Sequence, residues 1–202
     1  ATARVLDAAG IQTLVADGAG CCGAIRAHLN GHAGSLADMR RNIDAWWPLV
    51  EGLTSAGTVE AIVMNASGCG ATVKEYPQYL AHDAVYARKA ERIGALTKDV
   101  SELLPGLLPA LKPKLRSTAK PRLAFHPPCT LQHAQQLRGG VESGLRELGF
   151  EIALAASEPH LCCGSAGTYS VLQANLPVHL PDRKLAQLAP LVAQAKGLKV
   201  AD

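Results

Sequence analysis

Cysteine carries the distinctive chemistry of this sequence. The tripeptide Cys-Cys-Gly occurs twice, at Cys21-Cys22-Gly23 and Cys162-Cys163-Gly164, and Cys69 and Cys129 complete a set of 6 cysteines. Neighbouring Cα atoms lie about 3.8 Å apart, below the usual ~4.4–6.8 Å span of a disulfide, so a bond within either pair would be strained. Two adjacent thiolates followed by a flexible glycine suit a different task, which is holding different metal atoms of one polynuclear centre. Thiolates are soft ligands that select zinc, copper(I) or iron–sulfur clusters. A closed structural zinc site commonly uses Cys-x-x-Cys pairs, and the sequence has none. Three thiols in each half therefore suit a cluster better than a tetrahedral zinc site.

The elements that must position these thiols alternate between helix and strand. Ala1–Ala9 is expected as a helix stopped by Gly10, and Ile11–Val15 as a short apolar strand leading through Asp17-Gly18-Ala19-Gly20 to the first Cys-Cys-Gly. Ser35, with Asp38 three residues on, is expected to cap a longer helix whose apolar face is Leu36, Met39, Ile43, Trp46, Trp47 and Val50. A strand over Ala61–Asn65 runs into Ala66-Ser67-Gly68-Cys69-Gly70, and helices follow from Ala71 to Leu104. Pro105–Pro121, with 4 prolines, several basic residues and no acid, is expected as a connector. Beyond it come a strand at Arg122–His126, a helix at Val141–Leu148 stopped by Gly149, and a strand at Phe150–Ala155. A helix at Asp182–Lys196 and a cut-short strand at Leu198–Val200 complete the second half.

Side by side, Ala1–Gly23 and Val141–Gly164 share one plan of helix, glycine, strand, turn and Cys-Cys-Gly, the mark of an internal duplication. The expected fold is α/β: two similar lobes with short, mostly parallel sheets flanked by helices. The first lobe spans 1–104, a linker 105–121, and a second, C-terminally incomplete lobe 122–202. Every cysteine is expected just past the carboxyl end of a strand, on the sheet edge where open α/β folds bind ligands.

Composition narrows the class. The apolar content is 48% with only 4% aromatic residues, which favours helices packed closely on a sheet. The net charge is +3 with scattered Lys and Arg, which argues against a nucleic-acid partner. No apolar run reaches membrane-spanning length, and neither a signal-peptide pattern nor a lipidation motif is visible. Cysteines clustered in pairs indicate a reduced, cytoplasmic setting. Ala1 already falls within a helical pattern, as expected of a chain excised from something longer.

The lone Cys129 followed by Cys162-Cys163-Gly164 resembles the cysteine-rich CCG domain family. That family includes a subunit of heterodisulfide reductase, lactate-utilisation proteins and the iron–sulfur subunit of glycolate oxidase. The stretches His126-Pro127-Pro128-Cys129-Thr130-Leu131-Gln132-His133, Leu161–Ser170 and Ala66-Ser67-Gly68-Cys69-Gly70-Ala71 are most similar to the glycolate oxidase branch. The family's leading Cys of the first repeat would precede Ala1, and its closing Cys of the second would follow Asp202.

The resemblance implies electron transfer through an iron–sulfur cluster of 4Fe-4S type. Cys129, Cys162 and Cys163 would be the principal ligands, with Cys21, Cys22 and Cys69 forming a second, less complete site. It implies as partners a flavin-bearing glycolate oxidase subunit that oxidises the 2-hydroxy acid, and a quinone-type acceptor reached by peripheral contact at the inner face of the membrane. Two other readings remain at this point: a zinc-binding or structural scaffold that docks subunits, and thiol chemistry on a disulfide-type substrate. His126, His133 and His160 flank the second site, more often as hydrogen-bonding groups than as ligands. Gly20, Gly23, Gly68, Gly70, Gly164 and Gly167 are expected as turn residues that leave N–H groups free for sulfur. Trp46-Trp47 is expected in the core.

Overall fold

The computed structural model describes residues 1–55, 57–115, 122–164, 167–168, 172 and 179–193. The chain divides into two compact units, one of Ala1–Asp7 with Ile11–Leu103, the other of Ala8–Gly10 with the chain from Leu104 onward. The first unit runs through α1 (Thr2–Ala8), α2 (Ala24–His28), α3 (His32–Val50), β1 (Ile62–Met64), α4 (Ser67–Lys74), α5 (Tyr76–Tyr79), α6 (Ala87–Leu96) and β2 (Thr97–Asp99). Helix α7 (Val100–Leu111) carries the chain onward, followed by a single 3-10 turn at Lys112–Lys114. The second unit contains β3 (Arg122–Phe125), a π turn at Thr130–Ala134, α8 (Gly140–Glu147), β4 (Glu151–Leu154) and α9 (His179–Ala193).

Among the described residues, each unit has one parallel pair of strands. β1 lies beside β2 with Val63 opposite Lys98, and β3 beside β4 with Leu123 opposite Ile152. Parallel neighbours need a crossover, which the helices between them supply. The architecture is the expected one: α/β, two similar units, short parallel sheets flanked by helices.

The core of the first unit is built on α3. Its apolar residues recur every three or four positions, so they line one face. Met39 and Ile43 are fully buried on it, with Val50 nearly so. They pack with Val73, Tyr76, Leu80, Ala90, Ile93 and Cys22, while Leu36, Trp46 and Trp47 close the edge of the cluster. Each such aliphatic burial is worth about 1.5–3 kcal/mol. The two tryptophans are partly buried and pack against the core, as expected. In the second unit Leu107 and Leu108 of α7 and Leu131 of the π turn are buried.

Gly10 and Gly149 end α1 and α8 as expected. Both have positive φ, and the residue after each donates its N–H back into the helix, Ile11 to Leu6 at 2.9 Å and Phe150 to Leu145 at 3.0 Å. This closes carbonyls that a helix end leaves open.

Several sequence expectations need correction. Ile11–Val15 is irregular, with Val15 87% exposed: an apolar run forms a strand only if a partner strand covers it, and none among the described residues does. Ser35 lies inside α3, which starts at His32 behind Gly31. Its hydroxyl donates to the Gly23 carbonyl at 3.0 Å, so a tertiary bond replaces the expected cap. The helical stretch expected up to Leu104 is broken by β2, where Thr97 and Asp99 turn into the interior. The connector expected from Pro105 is helical to Leu111, with Pro105 and Pro109 inside α7. Burial of Leu107 and Leu108 outweighs the proline penalty there. The strand expected at Leu198–Val200 and the end of the last helix lie outside the described residues.

Candidate functional site

The first Cys-Cys-Gly is held by α3. With no strand ahead of it, the loop takes its shape from side chains that reach down from the helix. Asn42, fully buried, accepts from the Gly20 N–H at 2.8 Å through Oδ1 and donates from Nδ2 to the Cys21 carbonyl at 2.8 Å. The same Nδ2 reaches the Tyr76 hydroxyl at 3.1 Å, and that hydroxyl donates to the Cys22 carbonyl at 3.0 Å. Arg41 donates to the Cys21 carbonyl at 3.1 Å and pairs at 2.6 Å with the buried Asp38, which also faces Arg26 at 3.4 Å. Every backbone oxygen from Cys21 to Gly23 therefore has a side-chain partner: Asn42 and Arg41, then Tyr76, then Ser35.

Gly23 closes the turn at φ 90°, where a Cβ would lie 3.0 Å from both the carbonyl oxygen and the hydroxyl of Ser35. Only glycine fits both the angle and the space.

Cys69 comes to the same place from the first turn of α4. Its thiol shares a hydrogen bond with Cys22, and Cys21 lies within electrostatic reach. Burial first, then the Cys22 bond and the charges of Cys22 and Cys21, push the Cys69 thiol up to about 11. A helix N-terminus favours a thiolate, but here burial and like charge outweigh it. Cys22 is buried and Cys21 exposed, so the trio runs from the core to the surface. The expected first set, Cys21, Cys22 and Cys69, is brought together, although only Cys69 follows a strand.

In the second unit Cys162 is half-buried and Cys163 exposed. The Gly164 N–H points at Cys162 Sγ at 3.4 Å, one of the backbone donors expected for sulfur. Cys129 is half-buried four residues beyond β3, at the start of the π turn. His126 is half-buried, and burial together with the nearby Lys184 charge holds its imidazole below the ordinary range. His133 and His160 are exposed.

Sequence reasoning missed Lys184 and Arg183 on α9. Lys184 is 3% exposed and donates to the carbonyls of Glu158 at 3.2 Å and Pro159 at 3.1 Å. Burial pushes its ammonium down, partly countered by the charges of Cys163 and Glu158. A lysine in the first turns of a patterned helix, shortly after Pro181, gives no sign of a partner until the helix is placed. Asn42 and Tyr76 were missed for the same reason.

Adjacent thiols with a third in hydrogen-bond contact form a soft donor set, the kind that iron–sulfur centres use. Among the described residues, no group of three or more His, Cys, Asp and Glu side chains closes into a metal-holding arrangement. The donor type is the one a cluster uses, but neither Cys21, Cys22 and Cys69 nor Cys129, Cys162 and Cys163 forms such a group.

A duplicated α/β unit that presents paired thiols on side-chain-braced turns defines a cysteine-rich class of domain. The family model described as "Cysteine-rich domain" (CCG) matches residues 1–74 and 123–195, once in each half. The chain belongs to this family, and the two matches identify the internal duplication. It is 52% identical over 188 residues to the glycolate oxidase iron-sulfur subunit of Escherichia coli K12, covering 93% of this chain and 44% of the relative. A probable glycolate oxidase iron-sulfur subunit of Bacillus subtilis is 26% identical, with 92% of this chain and 40% of the relative covered. Lactate utilization protein A of Bacillus licheniformis is 26% identical, with 92% of this chain and 73% of the relative covered. The chain thus spans less than half the length of the two glycolate oxidase relatives. No solved structure matches it. No helix among the described residues is long and apolar enough to cross a membrane.

Proposed function

We propose that the chain is the cysteine-rich part of an iron–sulfur electron-transfer subunit in a glycolate-type 2-hydroxy acid oxidase or dehydrogenase complex. The observation that carries this reading is the meeting of Cys69, from α4, with Cys22 and Cys21 of the braced turn, in a chain 52% identical to a glycolate oxidase iron-sulfur subunit. Cys129, Cys162 and Cys163 are the ligands of one site and Cys21, Cys22 and Cys69 of the other. A bound 4Fe-4S cluster supplies one-electron chemistry. The chain holds the thiols, donates N–H groups to sulfur as Gly164 does to Cys162, and keeps the inner thiols away from water. No P-loop or nucleophile-elbow motif stands in the sequence. A flavin-bearing subunit oxidises the hydroxy acid, and the electrons pass on to a quinone-type acceptor by peripheral contact on the cytoplasmic face of the membrane.

Anaerobic loading of the chain with ferrous iron and sulfide tests the reading, with bound iron, sulfide and zinc measured per chain. Matching iron and sulfide, reduced in Cys162→Ser/Cys163→Ser and again in Cys22→Ser/Cys69→Ser, is the expected result. Zinc alone, or iron content indifferent to these substitutions, would overturn it.

A further inference from the structure

A helix downstream of each Cys-Cys-Gly, α3 in the first unit and α9 in the second, turns polar side chains back onto the loop carrying the thiols. In the first unit these are Arg41 and Asn42, 19 and 20 positions past Cys22. In the second they are Arg183 and Lys184, 20 and 21 positions past Cys163. The duplicated halves therefore use the same device, placed almost identically in the chain, with different chemistry. In the first unit the buried member of the pair is a neutral amide, and it holds Cys21 directly. In the second it is an ammonium group, and it holds the turn before the cysteines.

That turn requires holding. Glu158 has φ +50°, a region that residues with a Cβ seldom occupy. Its carbonyl oxygen accepts the Leu161 N–H at 3.0 Å, closing the turn immediately ahead of Cys162. Lys184 donates to that same oxygen at 3.2 Å and to the Pro159 carbonyl at 3.1 Å. Arg183 binds the Glu158 carboxylate from the outer side, with Nε to Oε2 at 2.8 Å. Ser157 is tied to Gln187 one turn further along α9. A buried ammonium is costly unless its donors are used. Here they are spent on backbone oxygens of one turn, and the charge lies within reach of Cys163.

We propose that Lys184, supported by Arg183, is the positioning residue of the second Cys-Cys-Gly site: it fixes the Glu158–Leu161 turn so that Cys162 and Cys163 are presented together beside a fixed positive charge. The value of that charge to a bound cluster rests on the reading of these cysteines as ligands; the positioning of the turn does not.

Amide hydrogen exchange on the metal-free 202-residue chain tests the positioning directly, followed by anaerobic loading with ferrous iron and sulfide. In Lys184→Met, which fills the buried space without donors, exchange at Leu161 and Gly164 is expected to rise about tenfold or more, with β3 and β4 unchanged. Lys184→Arg is expected to restore it to within about twofold of the parent, because the donors and the charge return. On loading, Lys184→Met should lose the iron that Cys162→Ser/Cys163→Ser loses, and Lys184→Arg should retain it. Exchange at Leu161 unchanged in Lys184→Met overturns the proposal whatever the iron content. If Lys184→Met also loses protection in β3 and β4, Arg183→Gln decides: faster exchange at Leu161 upholds the clamp and an unchanged rate overturns it. If no chain binds iron, the parent included, the ligand reading falls while the clamp still stands or falls on the exchange data.

Discussion

The Tyr76 hydroxyl donates to the carbonyl oxygen of Cys22 at 3.0 Å from a ring with no exposed surface, stacked on Trp46 at 6.5 Å. A core aromatic thus grips the backbone just past the two cysteines of the first motif. Tyr76→Phe keeps the ring and its stacking but removes the bond to Cys22 and one of the partners of Asn42. It should cost about 1–3 kcal/mol, since it leaves a buried acceptor unpaired. Urea unfolding of the two chains measures the difference, expected as a lower midpoint at unchanged slope.

Gly23→Ala must place a Cβ at φ 90° and 3.0 Å from two atoms of Ser35. Strain and contact together should cost about 2–3 kcal/mol. Adding Ser35→Ala removes the hydroxyl and should recover part of that loss. Strict additivity in a double-mutant cycle would contradict the close approach.

The three thiols of the first unit should react in a fixed order. Cys21 is exposed, Cys22 is buried, and Cys69, pushed up to about 11, is about one part in a thousand thiolate at pH 8. Iodoacetamide footprinting with mass spectrometry is expected to label Cys21 first. Cys69 labelling as fast as Cys21 at pH 8 would contradict the placement of its thiol against Cys22.

Glu102 gives the first unit an acid-sensitive tie. Burial raises its carboxyl, but the Lys74 bond, the Asp99 N–H and the charges of Lys74 and Lys98 outweigh it and hold the group below its ordinary value. A carboxyl lowered on folding contributes stability above its unfolded pKa and loses it as pH falls through the folded one. Stability should therefore decline below about pH 4.5 more steeply in the parent than in Glu102→Gln. Unfolding midpoints between pH 7 and pH 3 test this, and parallel curves would remove Glu102 from the account.

The duplication, the α/β class, the core face of α3 and the stops at Gly10 and Gly149 were all legible in the sequence. Each rests on local information: a repeated motif, a 3.6-residue period, or the backbone freedom of glycine at a helix end. The same local reasoning failed at Ile11–Val15, where apolar content suggested a strand, and at Pro105–Leu111, where prolines suggested an open connector. Whether an apolar run becomes a strand depends on a neighbour to pair with. Whether a proline is tolerated in a helix depends on what the rest of that helix buries.

Residue types and spacing alone determined which atoms could do chemistry: two Cys-Cys-Gly motifs, Cys69 and Cys129, all soft donors. The tertiary structure alone decided what surrounds those donors. It placed Cys69 against Cys22 across 47 positions of sequence, turned Ser35 from a helix cap into a brace for Gly23, and buried Asn42 behind one pair of cysteines and Lys184 beside the turn that leads to the other. Local propensity acts over a few residues, whereas a buried donor finds its acceptor only after helix and loop have packed. The cysteines could therefore be found by inspection of the sequence, and the side chains that brace their turns could not.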